Sequence, residues 1–226
     1  LIVPMQLGLQ VLGALVLRAP LANRYDALDL ESLELLASTC AIGLRNAQLF
    51  GEVQRLAITD ALTGVYNRRH FLDLAHTELA RANRSPAPLA MLMLDIDQFK
   101  RINDTYGHAV GDRALQSMVH CCRATLRTID VLGRYGGEEF AVLLSGADEQ
   151  QALMVAERLR QQIAEVPIPL GDREISITVS IGVAVRAEHS TLSLQTLLDY
   201  ADKALYQAKS AGRNRVRLWS PPRLGV

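Results

Sequence analysis

The 226-residue chain has no excess of either charge, since 24 Lys and Arg stand against 24 Asp and Glu. No global field draws it to nucleic acid or anionic lipid, both of which need many contacts between phosphates and Lys or Arg. Nor does a basic patch suggest a DNA-binding regulator. Its three cysteines, Cys40, Cys121 and Cys122, are an odd number and cannot close a disulfide framework. Small core side chains in a reducing compartment are the expectation. Long apolar runs are scarce. Leu1 to Leu17 carries no charge, but it falls short of the roughly 20 residues of a spanning helix and is interrupted by Pro4, Gln6, Gly8, Gln10 and Gly13. It lacks the basic start of a signal peptide, and Gly8 between two apolar runs predicts a pair of buried strands. No membrane segment is expected, and a chain opening in mid-strand without Met reads as a piece of a longer protein. Walker A, dinucleotide and zinc-protease motifs are all missing, so any phosphate has to be held by metal and side chains.

What is present is 49% hydrophobic residues, enough for an ordinary folded core. After Pro20, Leu30, Leu33, Ala37, Cys40, Leu44 and Ala47 recur at spacings of three and four, with Asp29, Glu31 and Glu34 near the start. That predicts an amphipathic helix with acids at its positive end. Leu49, Val53 and Leu56 continue it on a shifted seam to about Ile58, either as a dimeric coiled coil or as a helix packed on its own domain. Turn chemistry follows at Thr63, Gly64 and Asn67, then a helix over 69–83. The unbroken apolar run 89–94, ending in Asp95, predicts a central strand buried on both faces. A helix over 111–126 precedes two strands, 130–135 and 138–144, flanking Gly136-Gly137, whose tight primed turn would need positive φ. A helix over 149–165, a strand over 175–185, a helix over 194–210 and a short run 216–219 complete the chain. The order β-α-β-β-α-β is the ferredoxin-like arrangement with an extra element at each end, a mixed α/β sheet.

The acids fall where this fold would gather them. Asp95 closes a buried strand with Asp97 two residues later, while Glu138 and Glu139 leave the Gly-Gly turn on a strand expected beside it. Such carboxylates repel one another and ask for a cation. Oxygen ligands without His or Cys select Mg²⁺ or Mn²⁺. Lys209 and Arg213, four apart at the end of the last helix, are candidate phosphate ligands able to point the same way.

The segments Asp60-Ala-Leu-Thr-Gly64-Val-Tyr-Asn67-Arg68, Asp95-Ile-Asp97-Gln-Phe99-Lys100, Asn103-Asp104, Gly107-His108 with Gly111-Asp112, Arg134-Tyr-Gly136-Gly137-Glu138-Glu139-Phe140 and Lys209 to Asn214 resemble, in order and spacing, those of the GGDEF family of diguanylate cyclases. Val65 stands where Leu is usual, and Glu138 is the common alternative to Asp. The resemblance implies the palm-like sheet of nucleotidyl cyclases and polymerases, and condensation of two GTP into cyclic di-GMP with loss of two pyrophosphates. It further implies that Asp95 and Glu138, with the Ile96 carbonyl, hold Mg²⁺ (or Mn²⁺), and that Glu139 supports the metal and the reacting hydroxyl. Asn103 and Asp112 would read guanine; Phe99 and Lys100, through nearby backbone amides, would hold phosphates together with Lys209 and Arg213. Arg127-Thr-Ile-Asp130, with Arg160 assisting, would be an inhibitory product site. Catalysis would need a homodimer, in the cytoplasm, without nucleic acid. A non-catalytic receptor for cyclic di-GMP or GTP is the alternative, and the metal and guanine residues together discriminate against it. Residues 1–50 resemble the C-terminal part of a GAF domain; 51–59 read as a signalling helix, 60–220 as the cyclase domain and 221–226 as a tail.

Overall fold

In the structure, a computed structural model, residues 1–20, 24–84, 87–171, 173–186 and 192–220 are described, with the backbone alone for 52–57. The elements in chain order are β1 (Ile2–Leu7), β2 (Gln10–Val16), α1 (Ala27–Ile58), β3 (Tyr66–Asn67), α2 (Arg68–Arg84), β4 (Leu89–Ile96), α3 (Phe99–Tyr106) and α4 (His108–Thr125). Then come β5 (Val131–Arg134), β6 (Glu139–Ser145), α5 (Glu149–Glu165), β7 (Ile168–Leu170), β8 (Arg173–Ile175), β9 (Val179–Arg186), α6 (Leu194–Ser210) and β10 (Val216–Leu218). They divide into two compact units, Leu1–Ala57 and Ile58–Val226.

In the first unit β1 and β2 form the expected antiparallel pair, turning at Gly8 with φ of +59°. The expectation of burial fails. Only Val3 of the hairpin is buried, packing with Leu33 and Ala37 of α1, because a two-stranded ribbon with one helix on one face leaves its other face uncovered. The helix itself carries two apolar stripes. Leu33, Ala37 and Ala41 are buried, whereas Leu28, Leu35, Ile42 and Leu49, seven residues apart, are 71%, 70%, 51% and 42% exposed. Cys40 is exposed, against the expectation of a core residue, while Cys121 and Cys122 are buried. Of the predicted seam, Val53 and Leu56 lie outside the residues whose side chains are described.

The second unit is built on a six-stranded sheet of order β10-β9-β4-β6-β5-β3. β4 runs antiparallel to both neighbours, β6 and β9, and β10 and β3 close the two edges in parallel pairs. The βαββαβ core is therefore as expected, with β4 at its centre and all eight of its residues buried. Alternation along the strand sorts them: Ala90, Leu92, Leu94 and Ile96 pack in one core with residues of α4 and α5, and Leu89, Met91 and Met93 in another with residues of α2 and α6. Gly182 of β9 lets α6 lie directly on the sheet, since a Cβ there would meet the Ala201 carbonyl oxygen at 2.1 Å. The small hairpin β7–β8 was not expected, and Ile175 belongs to it rather than to β9. Helix α3 was also missed. Its Asn103, Asp104 and Thr105 are weak helix formers, and it starts at Gln98 in a left-handed conformation with no side-chain cap.

Candidate functional site

Strand alternation aims Asp95 at the face covered by α6, where Lys209 Nζ lies 2.7 Å from its Oδ2. On the strands beside it Asp95 stands opposite Glu139 and Ser180. Burial pushes the Asp95 carboxyl up; Lys209 pulls it back, the charges of Glu138 and Glu139 raise it again, and the result is about 6. Asp95 thus pairs with one ammonium while two further acids act on it through their charge. Asp97 does not join them. Its Oδ1 accepts from the Ser180 hydroxyl at 2.7 Å, and its Oδ2 accepts from the Thr178 hydroxyl at 2.7 Å and the Asn214 amide at 2.9 Å. It is a buried pin between β4, β9 and the turn after α6. Among the described residues no three carboxylate, imidazole or thiol side chains close into a metal cage. The donors at the edge nevertheless suit a hard cation: they are oxygens only, and one of them, Asp95, is raised first by burial and then by the two neighbouring acids.

The Gly136-Gly137 turn joins β5 to β6 as expected, but neither glycine has positive φ. The connection is wider than a primed turn, with Tyr135 and Gly136 both donating their amides to the Glu139 carbonyl at 2.8 and 3.1 Å. A Cβ at Gly136 would stand 2.5 Å from the Glu139 carboxylate, so a larger residue there would displace that side chain. A residue given no role in the sequence reading, Arg134, holds this turn. Its Nε and Nη2 donate to the Gly137 carbonyl at 3.2 and 2.6 Å, while Nη1 reaches both oxygens of Asp60 at 3.0 and 3.1 Å. Burial raises the Asp60 carboxyl, but the Thr63 hydroxyl and amide and then Arg134 outweigh it and hold it below the usual range. The signal was there in sequence, as Arg134 and Asp60 both sit in the quoted blocks, but only folding brings the two together.

Beside the turn a cavity of about 470 Å³ is lined by Phe99, Lys100, Asn103, Asp112, Arg134, Gly137 and Glu138, among others. Asn103 lines it, and its Oδ1, packed against Gly111, is buried without a hydrogen-bond partner, an acceptor left unmet by the protein itself. The neighbouring glycine makes room for it: a Cβ at Gly111 would lie 1.9 Å from that oxygen. Asp112 is exposed at the same mouth. Gln98, with φ of +56°, precedes α3, whose first turn has no side-chain cap, leaving its amides for another acceptor such as an anion. Arg213 is not on the last turn of α6, which ends at Ser210. It follows in a left-handed turn, with φ of +61°, and lines a second cavity of about 410 Å³ with Gln98 and Arg101. Lys209, paired with Asp95, and Arg213, beside the start of α3, therefore stand on separate elements rather than on one helical face.

At the far end of β5, Asp130 accepts the Arg127 amide at 2.8 Å and shares a shallow hollow of about 250 Å³ with Arg123, Arg127 and Thr128. Burial raises the Asp130 carboxyl, opposed by the Arg127 amide and charge. Arg160 is not there. Its guanidinium donates to Glu157 and, at 2.7 Å, to Asn214 Oδ1. Arg158 is the α5 arginine that reaches this side, donating to the Thr125 carbonyl at 2.9 Å. Two residues turn a helix by about 200°, so the two arginines leave α5 on opposite faces.

Residues 57–215 match the model of the diguanylate cyclase GGDEF domain. The chain is 37% identical over 221 residues to diguanylate cyclase A of Treponema denticola, covering 96% of this chain and 58% of that protein. It is 40% identical over 174 residues to diguanylate cyclase DosC of Escherichia coli, covering 76% of this chain and 37% of that protein. It thus spans about a third to three fifths of these relatives. A crystal structure of the coiled coil and GGDEF domain of DgcB from Caulobacter crescentus, in complex with c-di-GMP, matches with a TM-score of 0.74 at 31% identity, over 84% of this chain and 98% of that one. With the ordered blocks lying on one sheet edge and its flanking turns, the chain belongs to the diguanylate cyclase GGDEF domain family.

Proposed function

We propose that the chain condenses two GTP into cyclic di-GMP, releasing two pyrophosphates. The observation that carries this reading is the pairing of an acid edge, Asp95 with Glu138 and Glu139, with a cavity lined by Asn103, whose Oδ1 is an orphaned acceptor. In each half-reaction the 3′-oxygen of one GTP forms a bond to the α-phosphorus of the other. The bond from that phosphorus to the β-bridging oxygen breaks, and pyrophosphate leaves with the electron pair.

Asn103 and Asp112 accept from the N1–H and amino group of guanine, a donor pair that adenine lacks. The uncapped amides at Phe99 and Lys100, with Lys209 and Arg213, bind the β- and γ-phosphates. When GTP is bound, Lys209 can leave Asp95 for a phosphate, which would free Asp95 and Glu138, with the Ile96 carbonyl, to hold Mg²⁺ or Mn²⁺. Such an ion would supply charge neutralisation at the α-phosphate and a lowered pKa for the attacking hydroxyl. Glu139 stands beside the hydroxyl and takes its proton as the bond to phosphorus forms. Arg134 keeps the turn, and with it Glu138, in place through the Gly137 carbonyl.

One site binds one GTP, so a homodimer is needed to bring the two α-phosphates together. Leu28, Leu35, Ile42 and Leu49 provide a heptad seam for it, which Leu56 continues in sequence. Arg127 and Asp130, with Arg158 in place of Arg160, form the inhibitory product site. The substrate is a cytoplasmic nucleotide, and the GAF-like segment is the end of a signal-receiving module.

Incubation of the full chain with GTP and Mg²⁺, followed by nucleotide chromatography, tests the reading. Cyclic di-GMP and pyrophosphate are expected, and an unchanged GTP peak would overturn it. Added product should slow the parent and leave Arg127→Ala at its initial rate.

A further inference from the structure

The turn after α6 places one residue in a conformation it does not choose by itself. Gly212, Arg213 and Asn214 have φ of +112°, +61° and +45°; Gly and Asn visit this region readily, whereas Arg occupies it only where its surroundings impose it. Two contacts at Asn214 do so. Its amide donates to Asp97 Oδ2 at 2.9 Å, and its side-chain Oδ1 accepts from Arg160 Nη1 at 2.7 Å. Arg160 is itself immobilised, because Nε and Nη2 donate to Glu157 at 3.0, 3.0 and 2.6 Å, and Gln161 donates to the same carboxylate at 3.0 Å. Its side chain is 18% exposed, so this is an oriented fork rather than a solvated surface pair. The backbone of the turn is tied in turn to α6: the Arg213 amide donates to the Ala208 carbonyl and the Gly212 amide to that of Lys209, at 3.1 and 3.3 Å.

We propose that Arg160 is a positioning residue for triphosphate recognition: by gripping Asn214 it fixes the left-handed turn that aims Arg213 toward the start of α3. The inference rests on the reading of Lys209 and Arg213 as phosphate ligands. Its chemistry is specific. Asp97 holds the turn from the strand side, the turn's own amides hold it to α6, and Arg160 holds it from the α5 side, so loss of Arg160 removes the one side-chain grip from α5 and loosens the aim of Arg213. Only ligands that carry β- and γ-phosphates feel that loss. Guanine recognition at Asn103 and Asp112 does not involve this turn, nor does the hollow at Arg127.

The test uses the full chain with Arg160→Met, Asn214→Gly and Arg213→Met. Asn214→Gly removes the acceptor while keeping a residue at ease in the left-handed region, and so serves where Arg160→Met fails to fold. For both, KM for GTP should rise on the order of tenfold, the loss of one hydrogen bond to a charged group. Binding of GMP, followed by calorimetry, should be unchanged, as should the concentration of cyclic di-GMP giving half inhibition. The double variant Arg160→Met with Arg213→Met should be no weaker for GTP than Arg213→Met alone. The inference is overturned if Arg213→Met raises KM and the other two do not, or if GMP binding falls in step with GTP. A shift in product inhibition with KM intact overturns it too, returning Arg160 to the product site. If Arg213→Met itself leaves KM unchanged, the phosphate reading fails and takes this inference with it.

Discussion

Two stretches of this chain are almost equally apolar and meet opposite fates. β4 buries all eight residues, whereas the hairpin of β1 and β2 buries Val3 alone, with Leu9 and Ile2 fully or largely exposed. The difference is coverage. β4 has a strand on each side and helices above and below, so both faces of its pleat are dry. The hairpin has one helix on one face. An apolar run in sequence specifies a preference for burial, and the number of layers decides whether that preference is met. The same contrast separates the two stripes of α1. In the Ile58–Val226 unit apolar surface is used internally; in the Leu1–Ala57 unit much of it is available to another chain.

The largest effect is expected where burial is complete. Leu92→Ala should cost about 3 kcal/mol or more, whereas Leu35→Ala, 70% exposed, should stay within about 0.5 kcal/mol in the isolated monomer. Urea unfolding of both variants compares them, and equal losses would remove the distinction. Next, Glu138→Gln deletes a charge at nearly constant volume and should lower cyclic di-GMP synthesis at least about a hundredfold with an unchanged Tm. Near-normal synthesis would show that this acid is dispensable. Leu35→Asp combined with Ile42→Asp should turn the chain into a monomer by sedimentation. Activity per chain should then fall about tenfold at dilute concentration and recover as concentration rises. A variant that stays dimeric would place the interface elsewhere.

The smallest effect concerns the Asp60 clamp on the Gly-Gly turn. Its carboxyl is held below the ordinary value of 3.8, so the folded state binds fewer protons there than the unfolded chain. The stability this contributes is present above about pH 4 and is lost as pH falls through the folded value. Asp60→Asn should therefore lose about 1–2 kcal/mol at neutral pH, with the gap to the parent closing below pH 4. Thermal unfolding across pH 3–7 measures it, and a constant gap would assign the loss to packing rather than charge.

Much was determined by sequence alone. The apolar run into Asp95, the β-branched strand before Arg186 and the periodic helices over 149–165 and 194–210 are local patterns of period two or 3.6. The order of the acids and glycines was enough to identify the family. What sequence did not contain is direction. Arg158 and Arg160 are two residues apart, and only the way α5 sits on the sheet decides that one reaches Thr125 and the other Asn214. Asp95 and Asp97 are two residues apart at one strand end, a spacing that would put them on one face, yet Asp95 meets Lys209 while Asp97, just past the strand, is consumed by Ser180, Thr178 and Asn214. The glycine pair marked a turn, but its conformation is held by the Glu139 carbonyl and by Arg134, which also reaches across to Asp60, 74 residues away. Secondary structure follows from forces between near neighbours, whereas side-chain partners are set by long-range packing, and this site is made of partners.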